Sequence, residues 1–248
     1  MKNLLFLLLL ILSCSSAFAG EWDTNPQLWG IGVITTGDSS GFIAENVPMI
    51  LPFGVDFPIY ESPNGPVIGT IQSPGGENYQ FARPVFILAG KTQKQFIDER
   101  DSREINYDAS GLIFFEEKDG FLRILSHTLQ KPAWIKIANL RACHLKPVRW
   151  MDHILQIGSS LFHPHDTIAL NLRKSPSPSG EKITSMKGDT YLIAFTGNRQ
   201  GLWAEVEVTL YDIHPCEGDA KIQNTWKGWV KLMDDAGFPN IWYYTGGC

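Results

Sequence analysis

Two repeated all-β units are what this sequence predicts, and three observations predict them. The stretch Lys227-Gly228-Trp229-Val230-Lys231-Leu232 is a near copy of Pro132-Ala133-Trp134-Ile135-Lys136-Ile137, each a small residue followed by Trp, a β-branched residue, Lys and an aliphatic residue. Each copy lies downstream of a Ser-Pro turn, Ser62-Pro63 in one case and Ser175-Pro176 in the other. The 23 Gly and 15 Pro are scattered evenly, a punctuation that suits short strands and turns and not long helices. Self-similarity of this kind marks one structural unit used twice.

Residues 1–19 have the pattern of a secretory signal: Lys2, the apolar run Leu4 to Leu12, then Ala17-Phe18-Ala19 as a small-residue exit. A bilayer-spanning helix takes roughly 20 apolar residues, so this run is expected to be cleaved, with Gly20 or Glu21 as the mature start. No other segment is apolar enough to span. The rival Ile11-Leu12-Ser13-Cys14 resembles a bacterial lipobox and would leave a lipidated Cys14, but Leu12 fits that pattern poorly. The expected location is periplasmic or secreted.

The formal net charge is −5, from 21 basic and 26 acidic residues, and becomes −6 when Lys2 leaves with the signal. A mildly acidic chain without a basic run argues against nucleic acid, whose binding depends on Lys and Arg neutralising phosphate. Eight Trp and fourteen Phe are ample core material. Removing the signal leaves Cys143, Cys216 and Cys248 of the four cysteines. Export permits a disulfide, expected between Cys216 and Cys248, where it would contribute on the order of 3 kcal/mol by restricting the unfolded chain. Cys143 is expected as a buried small hydrophobe, with a pairing to another cysteine of the chain or an intermolecular bond as the alternatives.

The expected organisation is an N-terminal segment over 20–48, a first unit over 49–145, a connector over 146–167 and a second unit over 168–248. Trp22 and Trp29 are expected to pack on the next domain. Pro48, Pro52 and Pro58 exclude a helix from Val47 to Phe57. The first unit reads as strand, Ser62-Pro63-Asn64-Gly65 turn, and strand to Ile71. Val85 to Ala89 is a buried-strand candidate. Lys91 to Asn106, an insertion relative to the second unit, is charged and reads as a short helix or solvated loop forming an accessory surface. Leu112 to Phe115 and Phe121 to Leu125 are expected to pair across Glu116-Glu117-Lys118-Asp119-Gly120. The connector, with Trp150 to Ile157, is compatible with helix or strand. In the second unit, turns are expected at Met186 to Asp189 and at Asn198-Arg199-Gln200-Gly201. From Leu202 to Val208, Leu202, Ala204, Val206 and Val208 alternate with Trp203, Glu205 and Glu207, so Trp203 falls on the wet face of a strand.

Leu170-Asn171-Leu172-Arg173-Lys174-Ser175-Pro176, Gly188-Asp189, Gly201-Leu202-Trp203 and Gly228-Trp229-Val230 together resemble the bacterial SH3 (SH3b) family across the second half. The first half shares the Ser-Pro turn, Asp119-Gly120-Phe121 and Ala133-Trp134-Ile135, as a diverged copy. The second copy departs from the pattern by an insertion from Thr209 to Thr225 and by the aromatic tail Gly237 to Cys248. The resemblance implies an all-β fold of two small SH3-like β-barrels in tandem with a short connector. It also implies an exported module that holds cell-wall peptide or glycan (peptidoglycan), or an envelope protein, as partner. One fold hosts many functions, so the resemblance carries no ligand-binding residues over.

Three chemistries are open to these residues. A Cys/His peptidase needs a thiolate, a His and an orienting group, but Cys143 and His144 are sequence neighbours, which on a strand point to opposite faces; no catalytic residues are assigned, with a cell-wall hydrolase or metal-dependent envelope enzyme as the alternative to a binding module. His153, His163, His165 and Asp166 offer donors for zinc, yet a site needs three or four converging groups, and no metal or cofactor is expected. An aromatic recognition surface is the preferred reading. It draws on Trp203, Trp242, Tyr243 and Tyr244, and on Trp229 unless, like Trp134, it is a core anchor, which is the preferred expectation for both; the tail is expected to pack across the barrel with one ring left exposed.

Overall fold

A computed structural model describes residues 29–36, 55–72, 85–106, 109–165, 167–235 and 237–244 of the 248-residue chain. The strands are β1 (Gly32–Thr36), β2 (Asp56–Tyr60), β3 (Val67–Gln72), β4 (Val85–Leu88), β5 (Lys94–Phe96), β6 (Ser102–Asn106), β7 (Ala109–Phe114), β8 (Glu116–Lys118), β9 (Phe121–Ile124) and β10 (Ala133–Lys136). After helix α1 (Ile137–Arg141) come β11 (Leu145–Arg149), helix α2 (Trp150–Ile157), β12 (Leu161–Phe162), β13 (Leu170–Arg173), β14 (Lys182–Met186), β15 (Tyr191–Gln200), β16 (Trp203–Tyr211), β17 (Ile222–Lys231) and β18 (Trp242–Tyr243). The fold is all-β, in three sheets: β11-β1-β7-β6, β5-β4-β3-β2-β10-β9-β8, and β14-β13-β17-β16-β15-β12-β18.

The two seven-stranded sheets repeat one plan. The order β3-β2-β10-β9-β8 recurs as β14-β13-β17-β16-β15. Trp134 stands opposite Tyr60 on one side and Arg123 on the other; Trp229 stands opposite Arg173 and Glu205 in the same way. The hairpin that opens each unit carries a register shift at the same place, between Ile59 and Tyr60 and between Leu172 and Arg173. Both Ser-Pro turns close alike, by Glu61 N–H donating to Pro66 O at 3.0 Å and Lys174 N–H to Glu181 O at 2.9 Å. Each ends on a glycine that has no room for a side chain: a Cβ at Gly65 would strike Ser62 Oγ, and one at Gly180 would strike Ser175 Oγ.

Between these sheets lies the four-stranded one, apolar on both faces. Val33 and Ile113 face one core, with α2 and the interior of the third sheet. Their neighbours Ile34, Leu112 and Phe114 face the other, with Phe57, Ile59, Ile71 and Ile135 of the second sheet. Period-two alternation thus places apolar residues on both sides, as a strand covered on both faces requires. Trp29 is 1% exposed at the meeting point, its ring edge-on to Trp150, Phe238 and Trp242 at centroid distances of 6.1, 4.9 and 5.0 Å. Trp29 therefore packs against both the connector and the tail, while Trp22 and the proposed signal lie outside the described residues.

Several local expectations are corrected. Leu112 to Phe114 do not pair with Phe121 to Ile124: β7 belongs to the middle sheet and β9 pairs with β8 and β10, while Phe115 N–H donates to Arg123 O at 2.9 Å. The β8–β9 turn is Asp119-Gly120, with φ of 51° and 79°, the positive pair that a two-residue type I′ hairpin needs. Asn198 to Gln200 are not a turn; β15 runs through a register shift between Phe195 and Arg199, and the chain reverses at Gly201-Leu202. The connector contains both helix and strand. Along α2, Trp150, His153 and Ile154 fall on one buried face at helical spacing, and Gly158 at φ 79° ends it.

The 91–106 insertion is mainly strand, with helix limited to one short 3-10 turn. It forms β5, a 3-10 turn at Glu99–Asp101 and β6. Its anchor is Asp101, 0% exposed, whose carboxylate accepts from His127 N–H at 3.1 Å, Thr128 N–H at 2.6 Å and Thr128 Oγ1–H at 2.7 Å. Thr128 Oγ1 accepts in turn from Asp98 N–H at 2.9 Å. A buried carboxylate costs little when backbone donors surround it, and its loss leaves those donors bare. Asp101→Ala is expected to lower stability by about 2 kcal/mol in urea unfolding, and an unchanged midpoint would show the turn to be held by other contacts.

Candidate functional site

The third sheet presents an outer face built by alternation. On β16, Ala204, Val206 and Val208 are 1%, 0% and 0% exposed, so Trp203, Glu205 and Glu207 point the other way. On β17, Gly228 and Val230 are buried, which turns Lys227, Trp229 and Lys231 outward. Register sets Trp203 against Lys231, Glu205 against Trp229 and Glu207 against Lys227. Trp203 and Trp229 are diagonal neighbours, roughly 7–8 Å apart at the backbone. Both are half-buried and belong to neither core.

Glu205 sits at the centre of this face. Its Oε2 accepts from Thr196 Oγ1–H at 2.6 Å, from Asn198 Nδ2–H at 2.8 Å and from Lys227 Nζ at 3.2 Å. Thr196, then Asn198, and then Lys227 hold its carboxyl below the usual range. The register shift in β15 brings Thr196 and Asn198 over this carboxylate.

The corresponding face of the second sheet is closed. Phe121, which stands opposite Lys136 as Trp203 stands opposite Lys231, is 2% exposed and edge-on to Tyr60 at 5.3 Å. Trp134 is 6% exposed. The two units thus share a plan and differ in whether this aromatic pair meets solvent.

The other expected site residues are placed elsewhere. Trp242 and Tyr243 are 3% and 5% exposed and line the core with Trp29 and Trp150, out of a ligand's reach. Tyr243 Oη–H donates to Ile105 O at 3.0 Å. That uses its proton, so His153 carries its own on Nε2 and donates to Tyr243 Oη at 2.7 Å. Burial pushes the His153 pKa down to about 4, and burial, then Glu104, raises that of Tyr243. Tyr244 is half-buried, its ring stacked on Phe162 at 4.4 Å and its hydroxyl donating to Asp189 O at 3.1 Å. Trp229, expected as a core anchor, is on the outer face. Period-two reading of Gly228-Trp229-Val230 carried the signal, and likeness to buried Trp134 masked it.

His163 lies between two carbonyls, Nδ1 to Asn240 O at 2.7 Å and Nε2 to Ile168 O at 2.6 Å, so both nitrogens are engaged by the backbone. Among the described residues no three His, Cys, Asp or Glu converge as a metal site would need. Cys143 is a free thiol, half-buried against the second-sheet core. Cys216 is disulfide-bonded, and Cys14 and Cys248 lie outside the described residues. No helix among the described residues is long and apolar enough to cross a membrane. No protein-family model, curated protein or solved structure matches the chain.

Proposed function

We propose that the chain is a non-catalytic, exported binding module of the bacterial cell envelope, with two SH3b-like units of which the second carries the recognition face. The observation that carries this is the pair Trp203 and Trp229, held half-exposed on a rigid sheet outside both cores and flanking the fixed carboxylate of Glu205. Large aromatics retained at a surface with a polar handle between them suit contact with a partner. The motif resemblance in the second half and the signal-like residues 1–19 support the envelope setting; wall peptide or glycan or an envelope protein is the partner. Purified protein is expected to sediment with wall sacculi or to capture a partner from envelope extract. Trp203→Ala and Trp229→Ala are each expected to weaken that binding by about 2 kcal/mol, roughly 30-fold, with the unfolding midpoint nearly unchanged. Absence of binding to both sacculi and envelope proteins sinks the reading.

A further inference from the structure

We infer that the ligand of this outer face is a neutral, hydroxyl-rich glycan and not a peptide, an inference that rests on the binding reading above. Peptides are commonly read by adding a strand to an open sheet edge. Here β16 is flanked by β15 and β17, and β17 meets β13 at Trp229, so around the two indoles the face offers side chains and no free backbone ladder. Recognition must therefore run through the two indoles and the carboxylate between them.

Those groups match the two aspects of a pyranose. A sugar ring has an apolar face that lies flat on an aromatic ring and a rim of hydroxyl donors. Trp203 and Trp229 supply the flat apolar surfaces one diagonal apart. The Glu205 donors all converge on Oε2. The carboxylate is therefore oriented through one oxygen, and Oε1 has no hydrogen bond among the described residues; it is a fixed, ionised acceptor for a hydroxyl.

Charge points the same way. The nearby cations are committed: Lys227 to Glu205, Lys231 to Asp235, and Arg173 Nη1 to Gly180 O at 2.7 Å. Lys227, Lys231 and Arg173 are balanced by Glu205, Glu207 and Asp235, so the face is close to neutral and suits an uncharged polyol better than a strongly charged ligand. A proline-rich segment could also lie on aromatics, but proline brings no N–H for Glu205 Oε1.

The test uses a β-1,4-linked N-acetylglucosamine hexamer and wall glycan strands freed of their peptides, titrated into the full chain and followed by tryptophan emission and calorimetry. The expected result is saturable binding with a shift in emission. Trp203→Ala and Trp229→Ala are expected to weaken it roughly 30-fold each, and Glu205→Gln about tenfold, with circular dichroism unchanged. Binding to sacculi that free stem peptides or a proline-rich peptide compete away, while both sugars stay silent, overturns the glycan inference and leaves the binding reading standing. Sugar binding that survives both Trp substitutions also overturns it, by placing the ligand elsewhere. Silence towards sacculi and envelope extract removes both readings together.

Discussion

Trp150→Ala is expected to remove about 3–5 kcal/mol of stability, a large share of the roughly 5–15 kcal/mol typical of a folded domain. Trp150 is 0% exposed at the start of α2, and its Nε1–H donates to Trp29 O at 2.8 Å. Its ring lies edge-on to Trp29 and to Trp242, at 6.1 and 5.3 Å. The substitution therefore leaves a cavity where the middle sheet, α2 and the tail meet, and it strips a buried carbonyl of its donor. Urea unfolding followed by near-ultraviolet circular dichroism measures the loss. Trp150→Phe, which keeps an aromatic ring but no donor, is expected to recover part of it. A cost below about 1 kcal/mol would mean that this aromatic cluster does not hold the layers together.

The second large effect is on acid stability, through His153. Its folded pKa is about 4 against 6.5 for the free side chain, because burial disfavours the charged ring. Between these values the unfolded chain takes up a proton that the native state refuses, so stability falls as pH drops from about 6.5 towards 4. By pH 4 the accumulated loss is on the order of 3 kcal/mol. His153→Gln, which cannot titrate, is expected to reduce the slope of stability against pH in that window by close to one proton. An identical slope in the variant would show that His153 is not the group whose protonation opposes folding.

The parts of the fold legible in the sequence were those whose signals are local. The twin Trp phrases, the Ser-Pro turns and the alternation around Trp203 each fit within about ten residues and fall in strands and hairpin turns as expected, although Trp229 faces outward where a core anchor was expected. The middle sheet was not legible. Its strands come from β1, from the 91–106 insertion and from β11 in the connector, segments that read as peripheral or unassigned, and from β7, which reads as a strand of the first unit. Runs such as Gly111-Leu112-Ile113-Phe114, apolar at every position, show no alternation because both faces are covered. Their partners are set by tertiary packing over long sequence separations. The candidate site was half legible: the wet side of Trp203 follows from period two, whereas the convergence of Thr196 and Asn198 on Glu205 depends on an irregular β15 that residue spacing does not reveal. The tail packs inward as expected, but Trp242 and Tyr243 also read as ligand contacts, because they carry the same aromatic signal whether they face ligand or core.

The Tyr243 hydroxyl touches Ile105, 138 positions earlier, and His153, 90 positions earlier. A growing chain presents its amino-terminal residues first, so Trp29, Ile105 and Trp150 must wait for Phe238 to Tyr243 to be synthesised before their shared core can close. Until then the middle sheet has one apolar face without its cover. Completion of this fold therefore waits until Phe238 to Tyr243 have emerged, and a chain that has not yet released them remains open enough to be threaded, bound or degraded.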